Sequence, residues 1–259
     1  MGKLDSTFII PKTVETIEEG AFTYCKSLKN IICEENSKLT TIKTGAFAGC
    51  SNLVSVEIPS SMISIGDVAF ASCTNLTNIN IPNSVTSIGE LVFNTCTSLT
   101  SINVDENNLY YQSIDGNLYS KDGKTLIQYA IGKQDSNFII PNHITTIGSN
   151  AFRSCSNLKS IELSNSVTHI GEYAFASCTN LANINIPNSV TNIEGDAFNQ
   201  CTNLTKIVIP INVTYIGTTA FAFCDKLTIY CEAESQPSGW SQYWNYYNER
   251  IVWGYKGEE

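Results

Sequence analysis

The sequence is poor in basic residues and contains no long apolar run. Its 259 residues include 15 Lys and Arg against 24 Asp and Glu, which gives a formal net charge of −9. Binding to nucleic acid or to an anionic membrane surface needs basic patches, so these two partner classes are excluded. No apolar segment approaches the roughly 20 residues that span a bilayer, so we expect no direct insertion into a membrane.

The amino terminus lacks the features of a secretory leader. Met1-Gly2-Lys3-Leu4-Asp5 carries charge but has no apolar stretch after it, whereas a signal peptide needs both. Two interpretations therefore stay open. Either the protein is cytosolic, or a leader has been removed from the sequence.

Catalytic constellations are missing as well. The only two histidines, His143 and His169, occupy positions that hold serine in other copies of the repeat described next. No Cys or Ser combines with a His and an acid at a recurring spacing, as nucleophilic catalysis requires. No glycine-rich phosphate loop is present. We therefore predict a protein that is not an enzyme and that carries no cofactor and no metal.

What the sequence does contain is a repeat that returns every 23 residues. It reads Ile-Pro-x-x-Val-x-x-Ile-Gly-x-x-Ala-Phe-x-x-Cys-x-x-Leu-x-x-Ile, and its phenylalanines mark eight copies: Phe22, Phe47, Phe70, Phe93, Phe152, Phe175, Phe198 and Phe221. A period of this length is typical of a solenoid. Each copy is too small to bury its own apolar face, so neighbouring copies must stack.

Two parts of each copy carry different apolar patterns. The segment 76–82 alternates apolar and polar residues at its end, which predicts a short strand with one buried face. The segment 66–73 places apolar residues at helical offsets, which predicts one or two helical turns on the opposite wall. The segment 85–88 is predicted to be extended.

Ten cysteines raise the question of disulfides. Eight of them lie three residues after the repeated phenylalanine: Cys25, Cys50, Cys73, Cys96, Cys155, Cys178, Cys201 and Cys224. Stacked copies would place them in a ladder at roughly 4.8 Å spacing with parallel Cβ vectors, and a disulfide needs facing ones. Cys33 and Cys231 replace an apolar strand residue. We predict buried free thiols; zinc is the alternative, although no Cys-x-x-Cys spacing is present.

The complete pattern, Leu-x-x-Ile-x-Ile-Pro-x-x-Val-x-x-Ile-Gly-x-x-Ala-Phe-x-x-Cys, resembles the BspA-like leucine-rich repeat proteins over nearly the whole chain. These proteins occur on bacterial surfaces and in some parasitic protists. The resemblance implies a right-handed leucine-rich repeat solenoid of the α/β repeat type, with a parallel sheet on its inner face and short helical turns on the other side. It also implies a cell-surface or secreted adhesion role, and it favours the removed leader.

We predict a single leucine-rich repeat domain over residues 1–259, built in four segments. Residues 1–104 hold a lead-in strand at 8–11 and repeats one to four. Residues 105–137 interrupt the period, and their two Asp-Gly pairs predict a three-stranded meander with turns at 115–116 and 121–124. This insertion resembles the β-hairpin island that lies between repeats in BspA-like proteins.

The ladder restarts at Phe138-Ile139-Ile140-Pro141, which echoes Phe8-Ile9-Ile10-Pro11, and residues 138–231 hold repeats five to eight. Residues 232–259 contain all three tryptophans. The last copy of a solenoid has no neighbour to cover it, and bulky aromatics cover such an end well. The segment is therefore predicted to be an aromatic C-terminal cap, and it resembles the closing segment of bacterial BspA-like domains.

The first candidate site is the outward row of the inner sheet, which we call the inner face. Strand alternation predicts that polar residues point outward there: Ser55, Glu57, Asn78, Asn80, Ser101, Asn103, Ser160, Glu162, Asn183 and Asn185, with Lys206 and Val208 in the last matching pair. This row is interpreted either as a binding surface for a protein or glycan, or as solvated positions whose amides bond along the ladder.

Two further candidates are aromatic. Tyr110, Tyr111, Tyr119 and Tyr129 form either an exposed patch on the island or a layer that packs its strands. Trp240 and Trp244, with Tyr246 and Tyr247, faintly resemble choline- or sugar-binding wall repeats, an interpretation that predicts exposed tryptophans. The alternative is the cap.

These observations predict a non-enzymatic binding module of a cell-surface or secreted protein, which mediates adhesion or protein–protein interaction through the inner face and the island. The expected partner is a protein, such as host extracellular matrix, or a glycan, and the chain is expected to be a monomer. The alternatives are an intracellular structural or scaffold protein and a carbohydrate- or cell-wall-binding protein that uses the C-terminal aromatics.

Overall fold

Every copy of the repeat contributes one short strand to each of two walls. This is seen in a computed structural model, which describes residues 6–257. The prediction about a leader at residues 1–5, and the start of the lead-in segment, lie outside the described residues. By its contacts the chain divides into two compact units, residues 6–122 with 129–133, and residues 123–128 with 134–257.

In the first unit both walls consist of parallel strands. Each strand pairs with the equivalent strand of the next copy, except that Ser55–Val56 and Asn78–Ile81 of the first wall belong to separate sheets. The first wall, which corresponds to the predicted inner sheet, holds β1 (Thr7–Ile10), β3 (Asn30–Cys33), β5 (Ser55–Val56), β7 (Asn78–Ile81) and β9 (Ser101–Val104). The second wall holds β2 (Thr16–Ile17), β4 (Thr41–Ile42), β6 (Ser64–Ile65) and β8 (Ser87–Ile88). The register is constant, so that Asn78 pairs with Ser101 and Asn80 with Asn103.

The second unit repeats this arrangement, and the pairing of its first wall is interrupted between Asn183–Asn185 and Lys206–Ile209. Its first wall holds β13 (Asn137–Ile139), β15 (Ser160–Glu162), β17 (Asn183–Asn185), β19 (Lys206–Ile209), β21 (Thr228–Cys231) and β22 (Arg250–Trp253). Its second wall holds β12 (Thr125–Gln128), β14 (Thr146–Ile147), β16 (His169–Ile170), β18 (Asn192–Ile193) and β20 (Tyr215–Ile216). Stacked parallel strands in a fixed register confirm the predicted solenoid and its parallel sheet.

Phenylalanine rings form a continuous stack through the core of each unit. Phe47 and Phe70 lie 5.4 Å apart between ring centroids with an interplanar angle of 3°, and the other successive pairs of repeat rings stack at 5.1–6.2 Å. Each stack begins with a tilted ring from the lead-in strand. Phe8 lies 4.9 Å from Phe22, and Phe138 lies 5.7 Å from Phe152.

The segment around each repeated phenylalanine is a series of turns, and no helix occurs within residues 6–257. Two residues before and two residues after the phenylalanine the backbone is left-handed, as at Val68 (φ 50°) and Ser72 (φ 60°) around Phe70. Ala69 N donates to Gly66 O three residues back at 3.3 Å, whereas Phe70 N donates to Val92 O of the next copy at 3.1 Å. An α-helix needs an i to i−4 bond at every residue, so this alternation corrects the prediction of helical turns.

The glycine of the Ile-Gly step is required by backbone proximity. A Cβ atom at Gly171 would lie 2.6 Å from the backbone nitrogen of Ser149 in the preceding copy. No real Cβ contact is that short, so a larger residue would push the copies apart. Glycine is the usual choice where two backbones approach this closely.

The ten cysteines are free thiols; nine of them are buried and Cys25 is half-buried. In six copies the Sγ atom donates to the carbonyl oxygen of the phenylalanine one copy earlier, for example from Cys178 to Phe152 O at 3.0 Å and from Cys96 to Phe70 O at 3.1 Å. Burial raises the pKa of Cys96 to about 12 and that of Cys178 to about 12. The prediction of free thiols is confirmed.

The insertion begins with a β-hairpin. Strands β10 (Tyr111–Ile114) and β11 (Asn117–Ser120) pair in antiparallel register. They meet at Asp115 and Gly116, both with positive φ, as the common two-residue hairpin turn requires. The predicted hairpin turn is therefore confirmed. The third predicted strand is β12, which pairs in parallel with β14.

Candidate functional site: the inner face of the first wall

Outward-pointing polar residues alternate with buried apolar ones along the first wall. Asn78 and Asn80 are exposed, whereas Ile79 and Ile81 are each 1% exposed. The same alternation exposes Asn183 and Asn185 around buried Ile184 in the second unit. The remaining predicted residues are exposed or half-buried: Ser55, Glu57, Ser101, Asn103, Ser160 and Glu162.

In the first unit these polar groups bond to protein neighbours. Asn103 Nδ2 donates to Asn80 Oδ1 at 2.9 Å, and Ser101 Oγ donates to Asn103 Oδ1 at 2.6 Å. The other predicted residues of this unit are also bonded, Ser55 to Asn30, Asn78 to Thr77 and Glu57 to the backbone of Cys33. Here the geometry matches the interpretation of amides bonding along a ladder.

In the second unit the inner face opens into a shallow groove of about 450 Å³. It is lined by Ser160, Ile161, Glu162, Asn183, Ile184, Asn185, Lys206 and Val208, so it collects all four residues predicted in this unit. Ser160 Oγ donates to Asn137 Oδ1 at 2.6 Å. The side chains of Glu162, Asn183 and Asn185 have no hydrogen-bond or ion-pair partner among residues 6–257.

Lys206 belongs to a cation–aromatic cluster beside this groove. Its Nζ atom lies 5.2 Å from the ring centroid of Tyr230 and 5.4 Å from that of Tyr255. The same atom lies 3.3 Å from the hydroxyl of Tyr255. Sequence reasoning missed both tyrosines, although Tyr230 pairs with Val208 in the strand register and could have been found by extending the alternation by one copy.

The four candidate tyrosines of the island do not form one exposed patch. Tyr119 and Tyr129 are each 1% exposed, whereas Tyr110 is 52% exposed. The Tyr111 hydroxyl accepts a hydrogen bond from Ile88 N at 3.0 Å, and the hairpin bonds to β9 through Ile102 N and Gly116 O at 2.8 Å. The structure thus corrects the patch interpretation, because Tyr119 and Tyr129 are buried and the Tyr111 hydroxyl is bonded to the backbone of Ile88.

The C-terminal tryptophans are buried. Trp240 is 4% exposed and Trp244 is 3% exposed, and Trp240 Nε1 donates to Val213 O at 3.0 Å. Trp244 meets Phe221 edge-on with a centroid distance of 6.1 Å, which closes the ring stack of the second unit. The prediction that these tryptophans are exposed is therefore wrong, although Tyr246 and Tyr247 are 60% and 46% exposed. The buried tryptophans match the predicted cap.

The described residues contain no group of three or more His, Cys, Asp and Glu side chains that is arranged to hold a metal ion. Within residues 6–257 there is also no helix with the length and apolar character needed to cross a membrane. The chemical groups that the inner face presents are the amides, hydroxyls and two carboxylates of the predicted row, together with the Lys206 cluster.

The sequence pattern of the BspA type leucine-rich repeat region matches residues 3–121 and 131–242 of this chain in six copies. With most of the chain matched, the protein belongs to the BspA-type leucine-rich repeat family. Leucine-rich repeats generally mediate protein interactions. A search of curated proteins gives no match.

Solved structures of bacterial leucine-rich repeat proteins are similar to the chain. The pneumococcal vaccine antigen PcpA is 28% identical over 96% of this chain, with a TM-score of 0.78. A leucine-rich cell surface protein from Faecalibacterium prausnitzii is 29% identical over 90% of this chain and 80% of its own, with a TM-score of 0.55. A leucine-rich repeat protein from Bacteroides ovatus is 28% identical over 96% of this chain, with a TM-score of 0.54. The chain spans 66% of the length of the pneumococcal and B. ovatus proteins.

Proposed function

We propose that this chain is the non-enzymatic binding module of a cell-surface or secreted protein and that it acts in adhesion or protein–protein interaction through its inner face. The observation that carries the proposal is the groove of the second unit, where Glu162, Asn183 and Asn185 present side chains that no described protein group occupies. An exposed face with many polar groups that are not used for folding suits recognition of a large ligand.

Surface location is part of the same proposal. It is supported by the similarity to a protein described as a leucine-rich cell surface protein and to a pneumococcal vaccine antigen. The partner we propose is a macromolecule, either a protein such as host extracellular matrix or a glycan, bound by a monomer. A right-handed path of the coil, the usual hand for parallel strands joined by crossovers, belongs to the proposal too.

The island contributes less than the inner face in this proposal. Of its four tyrosines only Tyr110 is strongly exposed, at 52%, and exposed aromatics are enriched at interfaces. We therefore place the main contact on the first wall and give the island a supporting part.

An intracellular scaffold is the second candidate function, and one observation favours it. All ten cysteines are free thiols, and thiols persist in reducing compartments. Their burial weakens this point, because a buried thiol with a raised pKa reacts slowly in an oxidising compartment as well. We therefore keep the surface module as the proposal.

The test is binding of the full chain to a panel of extracellular-matrix proteins and immobilised glycans. Two variants remove the inner face of one unit each, Asn78→Lys with Asn80→Lys and Asn183→Lys with Asn185→Lys. A third, Thr168→Lys with Thr191→Lys, adds the same charge to exposed positions at the second wall of the second unit and is the matched control.

We expect the parent and the second-wall control to bind a panel member, and at least one inner-face variant to lose that binding by tenfold or more. Binding that all three variants retain would move the contact away from the inner face. Absence of binding across the whole panel would contradict the adhesion proposal and favour the scaffold.

A further inference from the structure

The same eight-residue sequence occurs at two places in the chain, and the hydrogen bonding of its asparagine side chains differs between them. Asn-Ile-Asn-Ile-Pro-Asn-Ser-Val occurs at 78–85 in the first unit and at 183–190 in the second. In the first unit Asn80 Oδ1 accepts a hydrogen bond from Asn103 of the next copy. In the second unit the residue 23 positions after Asn185 is Val208, whose side chain has no polar atom. Asn185 therefore loses its ladder partner, and its amide faces the groove.

The open amides lie beside an open carboxylate. Asn185 pairs with Glu162 and Asn183 with Ser160 in the register of β17 and β15. Each asparagine offers two donors and one acceptor oxygen, whereas an ionised glutamate only accepts. Neighbouring strands are about 4.8 Å apart. The floor thus alternates donors and acceptors at an interval close to the length of one sugar unit, whose hydroxyls both donate and accept.

One end of the groove is cationic. Lys206 lines the groove, and its Nζ atom is held over the rings of Tyr230 and Tyr255 at 5.2 and 5.4 Å from their centroids. Contact with two rings fixes the position of the ammonium group. In a chain with a net charge of −9, a positioned cation at the end of a polar groove is suited to an anionic group of a ligand.

Size and lining argue against a protein partner at this particular place. The groove of about 450 Å³ lies in the range of small-ligand sites, roughly 300–1,000 Å³. Protein contacts are usually anchored by large apolar or aromatic side chains that enter pockets. The exposed side chains of the lining are amides, a carboxylate and the Lys206 ammonium instead, whereas its apolar residues Ile161 and Ile184 are buried and Val208 is half-buried.

We propose that this groove binds an acidic oligosaccharide about two to three sugar units long, which is the size class of the groove. Asn183, Asn185 and Glu162 hydrogen-bond the sugar hydroxyls, and Lys206 pairs with the carboxylate. This inference rests on the proposed binding function and names its ligand class. The equivalent amides of the first unit, which are bonded within the protein, do not take part.

The test is a titration of the full chain with matched carbohydrate pairs by calorimetry. The acidic probes are sialyllactose and oligogalacturonate, and the neutral probes are the methyl esters of the same two compounds. The variants are Asn183→Ala with Asn185→Ala, and Lys206→Gln. The control is Asn78→Ala with Asn80→Ala, which changes the identical octapeptide in the first unit. All positions are exposed, so an unchanged melting temperature checks that each variant is folded.

We expect an acidic probe to bind more tightly than its neutral partner by about tenfold, since one charge-assisted contact is lost in the neutral form. Lys206→Gln should remove that preference, and the double alanine variant of the second unit should weaken binding of both members of the pair by tenfold or more. The control should bind within twofold of the parent.

Two results would overturn the inference. One is the absence of binding to both acidic probes. The other is binding that the first-unit variant weakens as much as the second-unit variant. If carbohydrates fail while an extracellular-matrix protein binds and the Asn183→Lys with Asn185→Lys variant loses it, the ligand class is wrong and the binding function stands. If every probe fails, both are wrong.

Discussion

At the scale of single residues, the buried cysteines act as small polar groups within an apolar core. The Cys178 thiol donates to Phe152 O at 3.0 Å, so its hydrogen and the carbonyl of the preceding copy satisfy each other. Removal of the proton would leave a buried negative charge facing a carbonyl oxygen. The main cause of the shift is the loss of water around the thiolate: burial raises the pKa of Cys178 from its ordinary value of 9.0 to about 12.

This shift predicts how stability depends on pH. The thiol ionises in the unfolded chain near pH 9.0 and in the folded chain only near pH 12. Between these two values the folded state binds one more proton than the unfolded state. The contribution of this thiol to the free energy of unfolding is therefore fully present below pH 9 and is lost as the pH rises toward 12. For one thiol the slope is about 1.4 kcal/mol per pH unit.

The measurement compares the parent with Cys178→Ala by urea denaturation at a series of pH values. The variant should lose stability less steeply between pH 9 and 11, by about 1.4 kcal/mol per pH unit. Below pH 8 the two proteins should show the same pH dependence, which is the internal control. Parallel curves above pH 9 would contradict the argument.

At the scale of elements, each ring stack depends on turns with two left-handed residues. Gly45 (φ 62°) and Gly49 (φ 73°) flank Phe47 in this way. A Cβ atom at Gly45 would meet nothing closer than 3.9 Å, whereas one at Gly49 would overlap the ring of Tyr24. The two glycines therefore separate the cost of the backbone conformation from the cost of a steric overlap.

We expect Gly45→Ala to lower the free energy of unfolding by about 1 kcal/mol through backbone strain alone. Gly49→Ala should cost more, because the Tyr24 ring must also move. Chemical denaturation of both variants and the parent measures the difference. A Gly45→Ala variant as stable as the parent would show that this turn tolerates an L-residue without strain.

These turns are also where sequence reasoning failed. Gly66, Ala69, Phe70 and Cys73 have helical spacing, but the backbone between them bonds alternately within the turn and to the next copy. Glycine at positions 20, 45 and 49 hinted at left-handed conformations. In other copies the position of Gly45 holds Val68 or Leu91, so the sequence there gives no sign of the left-handed backbone. These residues adopt positive φ because the stacked neighbours fix the turn.

The strands were easier to predict, because alternation records which side is buried. The segment 76–82 was predicted as a strand, and β7 (Asn78–Ile81) is its counterpart. The candidate row followed from the same alternation. Alternation alone does not distinguish Asn80 from Asn185, since both lie in the same octapeptide and differ in the residue of the next copy that faces them, Asn103 or Val208.

At the scale of the whole molecule, strand pairs join equivalent residues of neighbouring copies, with the hairpin as an exception. Stability of such an array is approximately a sum of terms for single copies and for neighbouring pairs. The last copy of the second unit lacks a following repeat, and Trp244 takes the place of its missing phenylalanine at 6.1 Å from Phe221. The C-terminal segment was predicted to be a cap from its aromatic composition. The contact between Trp244 and Phe221 could not be predicted from the sequence.

Trp244→Ala should therefore destabilise the protein by about 3–5 kcal/mol, the usual cost of removing a large buried aromatic side chain. Hydrogen exchange should show the greatest loss of protection in β19, β21 and β22, and less in β14 and β16 of the same unit. Tyr243→Ala is the matched control, since Tyr243 is the next residue to Trp244 in the sequence and is 49% exposed. We expect this variant to change the free energy of unfolding by no more than about 0.5 kcal/mol. Equal loss of protection along the unit would contradict nearest-neighbour stability.

The two lead-in strands bear on how such a chain lengthens in evolution. Phe-Ile-Ile-Pro occurs at 8–11 and again at 138–141, and in each case its ring tilts onto the first repeat ring, at 59° and 58°. Each unit thus carries its own first ring, encoded beside the repeats that it covers. A gene duplication that copies the lead-in strand together with its repeats would give the new array a ring that covers its first repeat phenylalanine. A duplication that begins within the block would leave the first phenylalanine of the new array without such a ring. Growth by blocks of several repeats is therefore the route that this architecture makes easiest.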